Sequence, residues 1–193
     1  MAVGILLAAG FSRRFGAEDK LMQSLPDGRP LALAAAQNLL AALPRTIAVV
    51  RPEATVLAAL LAQAGAEVVT CAVHEVEMAD SLAAAVRYAA SQAEADSGYV
   101  IALADMPFIQ PQTIAAVAAA LVNGAVIAAP AYRQQRGHPV GFAASLGAEL
   151  ERLRGDEGAR SVLQRHRQQI QVLEVGDAGV LTDIDTPHDL PAA

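Results

Sequence analysis

The feature that most constrains this chain is its alternation of short aliphatic runs with Ala/Leu-rich stretches of helical length. Val3 to Leu7 reads as a strand buried on both faces, and Thr46 to Val50, Glu67 to Thr70, Tyr99 to Leu103 and Ala125 to Ala129 read as further strands. Four helices are expected between them. Leu31 to Leu43 is opened by Pro30 and stopped near Pro44, and Glu53 to Ala64 ends at Gly65. Ala79 to Ala95 has Asp80 or Ser81 near its start, and Pro111 to Val122 is closed by Asn123-Gly124. The pattern loosens from Pro130 to Arg136. His138 to Phe142 then reads as a strand, Ser145 to Leu153 as a helix and Gln171 to Val175 as a last strand. Repeated β-α units of this length predict an α/β fold of Rossmann-like type over residues 1–193: one domain, a mostly parallel twisted sheet, helices on both faces and right-handed crossovers. In such sheets ligands bind beyond the carboxyl ends of the strands, which puts the loops after Leu7 and Leu103 at one edge.

Composition narrows the class. At 193 residues the chain can bury one sizeable α/β core, and its 4% aromatic content argues against an aromatic-rich binding groove. A net charge of -6 disfavours non-specific nucleic-acid binding, which needs Lys and Arg to neutralise phosphates. The single Cys71 excludes an intramolecular disulfide and a cysteine-based zinc cluster, and reads as a small buried apolar residue. No basic leader and no long uncharged apolar stretch is present, so a cytoplasmic protein that does not enter membranes is expected.

Two loops hold the residues that suggest chemistry. After Leu7 the side chains almost vanish at Ala8-Ala9-Gly10, so a ligand can approach the backbone, and Gly10 is free to take φ > 0. Ser12, Arg13, Arg14 and Lys20 then bring a hydroxyl and three cations, a set suited to a polyphosphate. The spacing is neither G-x-x-x-x-G-K-[ST] nor G-x-G-x-x-G, and a plain polar surface loop is the alternative. Asp105 follows the uncharged run Tyr99 to Ala104 and precedes Met106-Pro107. A carboxylate at the end of a buried strand is costly unless it meets a cation or a hydrogen-bond network. Magnesium fits, since it takes one or two carboxylates while substrate phosphates and water complete its octahedron. The alternative for Asp105 is an N-cap for the helix near Pro111, six residues on.

The first loop, Leu7-Ala8-Ala9-Gly10-Phe11-Ser12-Arg13-Arg14-Phe15-Gly16 followed by Asp19-Lys20, resembles the signature loop of the MobA/MocA-like NTP transferases. Four further stretches resemble that family in order: Leu103-Ala104-Asp105-Met106-Pro107, Arg136-Gly137-His138-Pro139, Gly155-Asp156-Glu157-Gly158-Ala159-Arg160 and Asp183-Ile184-Asp185-Thr186-Pro187. The resemblance covers essentially the whole chain and is nearest to the molybdenum cofactor cytidylyltransferases. It implies magnesium-dependent transfer of a nucleoside monophosphate to a phosphate monoester, with release of pyrophosphate. Leu7, Ala8, Ala9, Gly10, Ser12, Arg13, Lys20, Ser81 and Asp105 would then line the nucleotide, with Arg13 and Lys20 on its phosphates. Asp105 and either Asp183 or Asp185 would hold the metal; the two C-terminal carboxylates can equally open a turn before Pro187.

The same resemblance places His138 and Pro139 near the second substrate, although a lone His between Gly and Pro can be purely structural. It also places Arg160 beside a phosphate, while Asp156 alone reads as the cap of a helix through His166. Ala9, where a second glycine would suggest GTP, points to CTP, and the implied acceptor is molybdopterin or its molybdenum-loaded form, with a molybdoenzyme or its chaperone as a further partner. One stretch departs from the family. The usual G-M-x-x-S-L is here Glu77-Met78-Ala79-Asp80-Ser81-Leu82, with two carboxylates that would repel a polyphosphate unless turned away or paired. Nucleotide and acceptor are therefore open, and a sugar-phosphate or GTP-dependent nucleotidyltransferase is the enzymatic alternative. From another class, the chain would be a non-catalytic maturation factor that binds a cofactor for a molybdoenzyme, against which Lys20 and Asp105 together speak.

Overall fold

Eight strands build one mixed sheet in this computed structural model, which describes residues 1–10, 20–72, 77–92, 97–156 and 158–189. β1 (Ala2–Ala8) is central, flanked in parallel by β2 (Thr46–Val50) and β4 (Gly98–Leu103), and β3 (Glu67–Thr70) extends the sheet beyond β2. The helices α1 (Leu31–Ala42), α2 (Thr55–Gln63), α3 (Met78–Ser91) and α4 (Pro111–Val122) fall within the stretches expected from the pattern, give or take a residue or two. Every residue of β2, and all of β1 but Leu7, is buried, as continuous apolar runs require when helices cover both faces.

Alternation along each strand divides the core in two. Leu6, Ala48, Val100 and Ala128 face a layer built from α1, α2 and α4. Ile5, Ile47, Val49, Ile101 and Phe142 face the other, built from α3 and the C-terminal helices. Cys71 is buried in that second layer, as a small apolar residue would be.

Beyond β4 the chain leaves the simple repeat. β5 (Ile127–Tyr132) turns back through Arg133 and Gln134, at φ 50 and 65, into β6 (Gln135–Arg136). Two successive left-handed residues match the twist of a two-residue hairpin, here without the Asn-Gly or Gly that usually announces one. β7 (Val140–Phe142) then inserts antiparallel between β4 and β5, so the two are not direct neighbours. α5 (Gly147–Leu150) and α6 (Arg160–Arg165) follow, and β8 (Ile170–Glu174) pairs in parallel with the outer side of β5. The expected helix over Ser145 to Leu153 is thus a 3₁₀ turn plus the short α5. Asp156 caps nothing: Ala159 is the residue before α6, and no side chain caps that helix.

Candidate active site

The ends of β1 and β4 lie side by side, with Leu7 opposite Leu103, and the backbone N–H of Ala104 donates to the Leu7 carbonyl one residue further on. Asp105 is therefore delivered at the carboxyl edge of the sheet by two central strands. Its carbonyl accepts from the N–H of Ile184 (3.0 Å), and this contact docks the C-terminal segment against the same edge. Ile184 is fully buried among Leu25, Leu31, Ala34 and the half-buried Phe108. That apolar anchor leaves Asp183 and Asp185 on either side of it. Asp189 fixes the backbone here, its Oδ2 accepting from the N–H of Asp185 (3.1 Å), the N–H of Thr186 (2.7 Å) and the Thr186 hydroxyl (2.9 Å). Those hydrogen bonds hold the Asp189 carboxyl below the usual carboxylate range.

Lys20 ties the parts together. It begins a short 3₁₀ turn packed on α1, is only 8% exposed, and its Nζ donates to Asp105 Oδ2 and to Asp185 Oδ1, both at 2.9 Å. Burial alone would push its pKa down, but the hydrogen bonds to the two carboxylates and their charges outweigh that, so the pKa is raised and the ammonium persists. The other oxygen of Asp105 is different: Oδ1 is buried with no hydrogen-bond partner among the described residues. Orphan acceptors of that kind are rare and costly inside a protein, and they need a reason.

His138 stands beside this cluster. Its backbone N–H donates to the Val180 carbonyl (2.9 Å), and Gly137 lies so close to that carbonyl that a Cβ would collide with it. Burial is the largest influence on the imidazole and pushes its pKa down; Asp105 and Asp183 oppose the shift and Arg136 adds to it. Its Nδ1 is a second buried atom without a partner. Pro139 is buried.

The remaining expected residues fall into two sets. Ala8 and Ala9 are buried, one in each core layer, so their side chains pack inward. Gly10 does not take a positive φ; what it offers is space, since among the described residues nothing lies within 4 Å of the place a Cβ would occupy. Ser12 and Arg13 lie outside the described residues. Ser81 and Arg160 belong to a separate neighbourhood around the start of α3. The Ser81 hydroxyl donates back to the Glu77 carbonyl (3.1 Å), the N–H of Ala79 donates to the Gly155 carbonyl (2.9 Å), and Arg160 is exposed at the first position of α6. Asp80 does not face a polyphosphate unscreened, because Arg154 Nε lies 3.9 Å from its Oδ1.

The alternative role for Asp105 as cap of α4 is filled by another residue. Asp177, 3% exposed, accepts from the Gln110 N–H (2.8 Å), the Thr113 hydroxyl (2.8 Å) and the Gly179 N–H (3.0 Å). It caps α4 from 67 residues away in sequence. The local Gly176-Asp177-Ala178-Gly179 run signals an Asx turn but says nothing of the distant helix.

Sequence comparison decides the family. The MobA-like NTP transferase domain matches residues 4–170. The chain belongs to that family. It is 31% identical over 195 residues to the purine catabolism protein PucB of Bacillus subtilis (strain 168), covering 97% of this chain and 93% of PucB. Among solved structures it resembles Rv0371c of Mycobacterium tuberculosis H37Rv, at 28% identity and a TM-score of 0.78 over 97% of this chain and 94% of that one. It also resembles the Rv0371c complex with manganese, at 26% identity and a TM-score of 0.75 over 97% and 95% of the two chains. The MobA-like fold thus accounts for the arrangement of strands around Asp105. Among the described residues no helix is long and apolar enough to cross a membrane.

Proposed function

We propose that this MobA-like transferase moves a nucleoside monophosphate from an NTP, CTP in the first instance, onto the phosphate of a molybdopterin-type acceptor. The observation that supports this most is the Lys20–Asp105–Asp185 cluster at the carboxyl edge of β1 and β4, with Asp105 Oδ1 buried and unpaired. Attack of a phosphate oxygen on the α-phosphorus of an NTP, with pyrophosphate leaving, asks for in-line positioning and charge neutralisation more than for covalent chemistry. Lys20 supplies a buried, persistent cation for the phosphate oxygens. The open space at Gly10 admits the nucleotide to the end of β1, and the sequence adds Ser12 and Arg13 to that loop. His138, Pro139 and Arg160 are assigned to the acceptor on the strength of their motifs.

The donor set suits a divalent cation. Asp105 and Asp185 are all-oxygen ligands converging on one cation, and no group of three or more His, Cys, Asp or Glu side chains surrounds them among the described residues. Magnesium held by one or two carboxylates and substrate phosphates matches that better than a full protein cage would. Asp185, which shares Lys20 with Asp105, is the better second ligand than the exposed Asp183. When bound, such a cation neutralises charge on the transferring phosphoryl group and on pyrophosphate. Retention of both a phosphate-seeking cation and a metal-type carboxylate pair favours a transferase over a passive maturation factor.

Calorimetric titration with magnesium present tests the nucleotide assignment. CTP is expected to bind more tightly than GTP, and to be consumed with pyrophosphate release when molybdopterin is supplied. Equal affinity or a GTP preference would contradict it.

A further inference from the structure

Lys20 occupies the place between Asp105 and Asp185 that a small hard cation would take. Its Nζ lies 2.9 Å from one oxygen of each carboxylate, and its side chain is 10% exposed while theirs are 24% and 42% exposed. The ammonium is thus sunk deeper than the anions it bridges. The two carboxylates thus share this ammonium. A divalent cation placed between the same two carboxylates would lie within a few ångströms of the buried ammonium, and the two positive charges would repel.

From this we infer that Lys20 is the resident counter-ion of the carboxylate pair, and that a divalent cation enters by displacing its ammonium, which the substrate polyphosphate then receives. The inference rests on the metal reading given above and says how the site is kept before substrate arrives. Lys20 bridges the two aspartates, so neither faces the other as an uncompensated charge. Without a polyphosphate the displaced ammonium has nowhere favourable to go, and metal binding is weak. With a polyphosphate the ammonium gains new anionic partners, and the same residue turns from a competitor into a contributor. Metal and polyphosphate therefore bind cooperatively because of Lys20, and the site is protected from filling with metal alone.

The test is manganese affinity, read from the loss of the free-ion paramagnetic resonance signal, with and without inorganic pyrophosphate. Lys20→Met keeps the length and burial of the side chain and removes the charge. It should bind manganese alone at least about fivefold more tightly than wild type, the scale expected when one nearby positive charge is removed. With pyrophosphate present the order should reverse, the variant binding the manganese–pyrophosphate pair more weakly. Lys20→Gln, which retains a hydrogen-bond donor, should behave as Lys20→Met does and covers the case in which that variant folds poorly. Unchanged or weaker binding of manganese alone in both variants would overturn the inference, since it would make Lys20 an organiser of the site and not a competitor. Asp105→Asn run in parallel separates this from the metal reading: if it binds manganese as wild type does, the metal assignment has failed, whatever Lys20 does.

Discussion

Asp105 and Asp177 are both aspartates set into the apolar body of this protein, and they are served in opposite ways. Asp177 accepts from two backbone N–H groups and a hydroxyl, all uncharged, and it joins the 3₁₀ turn at Ala178–Leu181 to the start of α4. Asp105 meets a mobile-type charged partner, the Lys20 ammonium, on one oxygen, and has no partner on the other. The contrast is the one expected between a carboxylate placed for structure and one placed, as proposed, for chemistry. Fixed neutral donors satisfy a carboxylate permanently, whereas an exchangeable cation and an orphan oxygen leave it able to take a ligand.

The largest effect expected from that contrast is on turnover. If Lys20 serves the phosphates as proposed, Lys20→Ala should lower turnover, followed by pyrophosphate release, by about 10²-fold or more. An unchanged rate would mean that the Lys20 cluster is as purely structural as the Asp177 one.

Asp177→Ala should do the reverse. It strands the Gln110 and Gly179 N–H groups inside the protein, at a cost of about 2–3 kcal/mol, while leaving turnover per folded molecule near wild type. Thermal melts would show this as a loss of about 5–10 °C for a chain of this size. Asp177→Asn keeps one of the two acceptor oxygens, so it should lose less than Asp177→Ala. If activity fell and stability did not, the two aspartates would not differ in the way described.

How far the sequence reveals this depends on range. The strands β1 to β4 and helices α1 to α4 are legible because their apolar runs and breakers are local, and so is Asp105, a lone charge after a buried strand. The hairpin at Arg133-Gln134 is not, because neither residue belongs to the types that favour a left-handed conformation. The insertion of β7 between β4 and β5 follows from that hairpin and is hidden with it. Asp177 is invisible as a partner of α4 because Gln110, which leads into that helix, lies 67 residues earlier in the chain. The choice between Asp183 and Asp185 needs the docking of Ile184, since an aspartate either side of an isoleucine looks symmetrical in sequence. The cation that Asp105 needs is supplied within the chain by Lys20, a pairing across 85 residues that neither local sequence shows.

That last point sharpens the most direct test, which is Asp105→Asn. Asparagine keeps the size and one acceptor oxygen but removes the charge a hard cation requires. Because Asp185 still holds Lys20, the fold should survive with at most a modest fall in melting temperature. Turnover measured against magnesium concentration, beside a melting curve for each protein, decides the matter. The expected result is a folded protein in which added magnesium restores no turnover. Near-wild-type turnover with an ordinary magnesium dependence would contradict it, and with it the assignment of Asp105 as the carboxylate on which the chemistry depends.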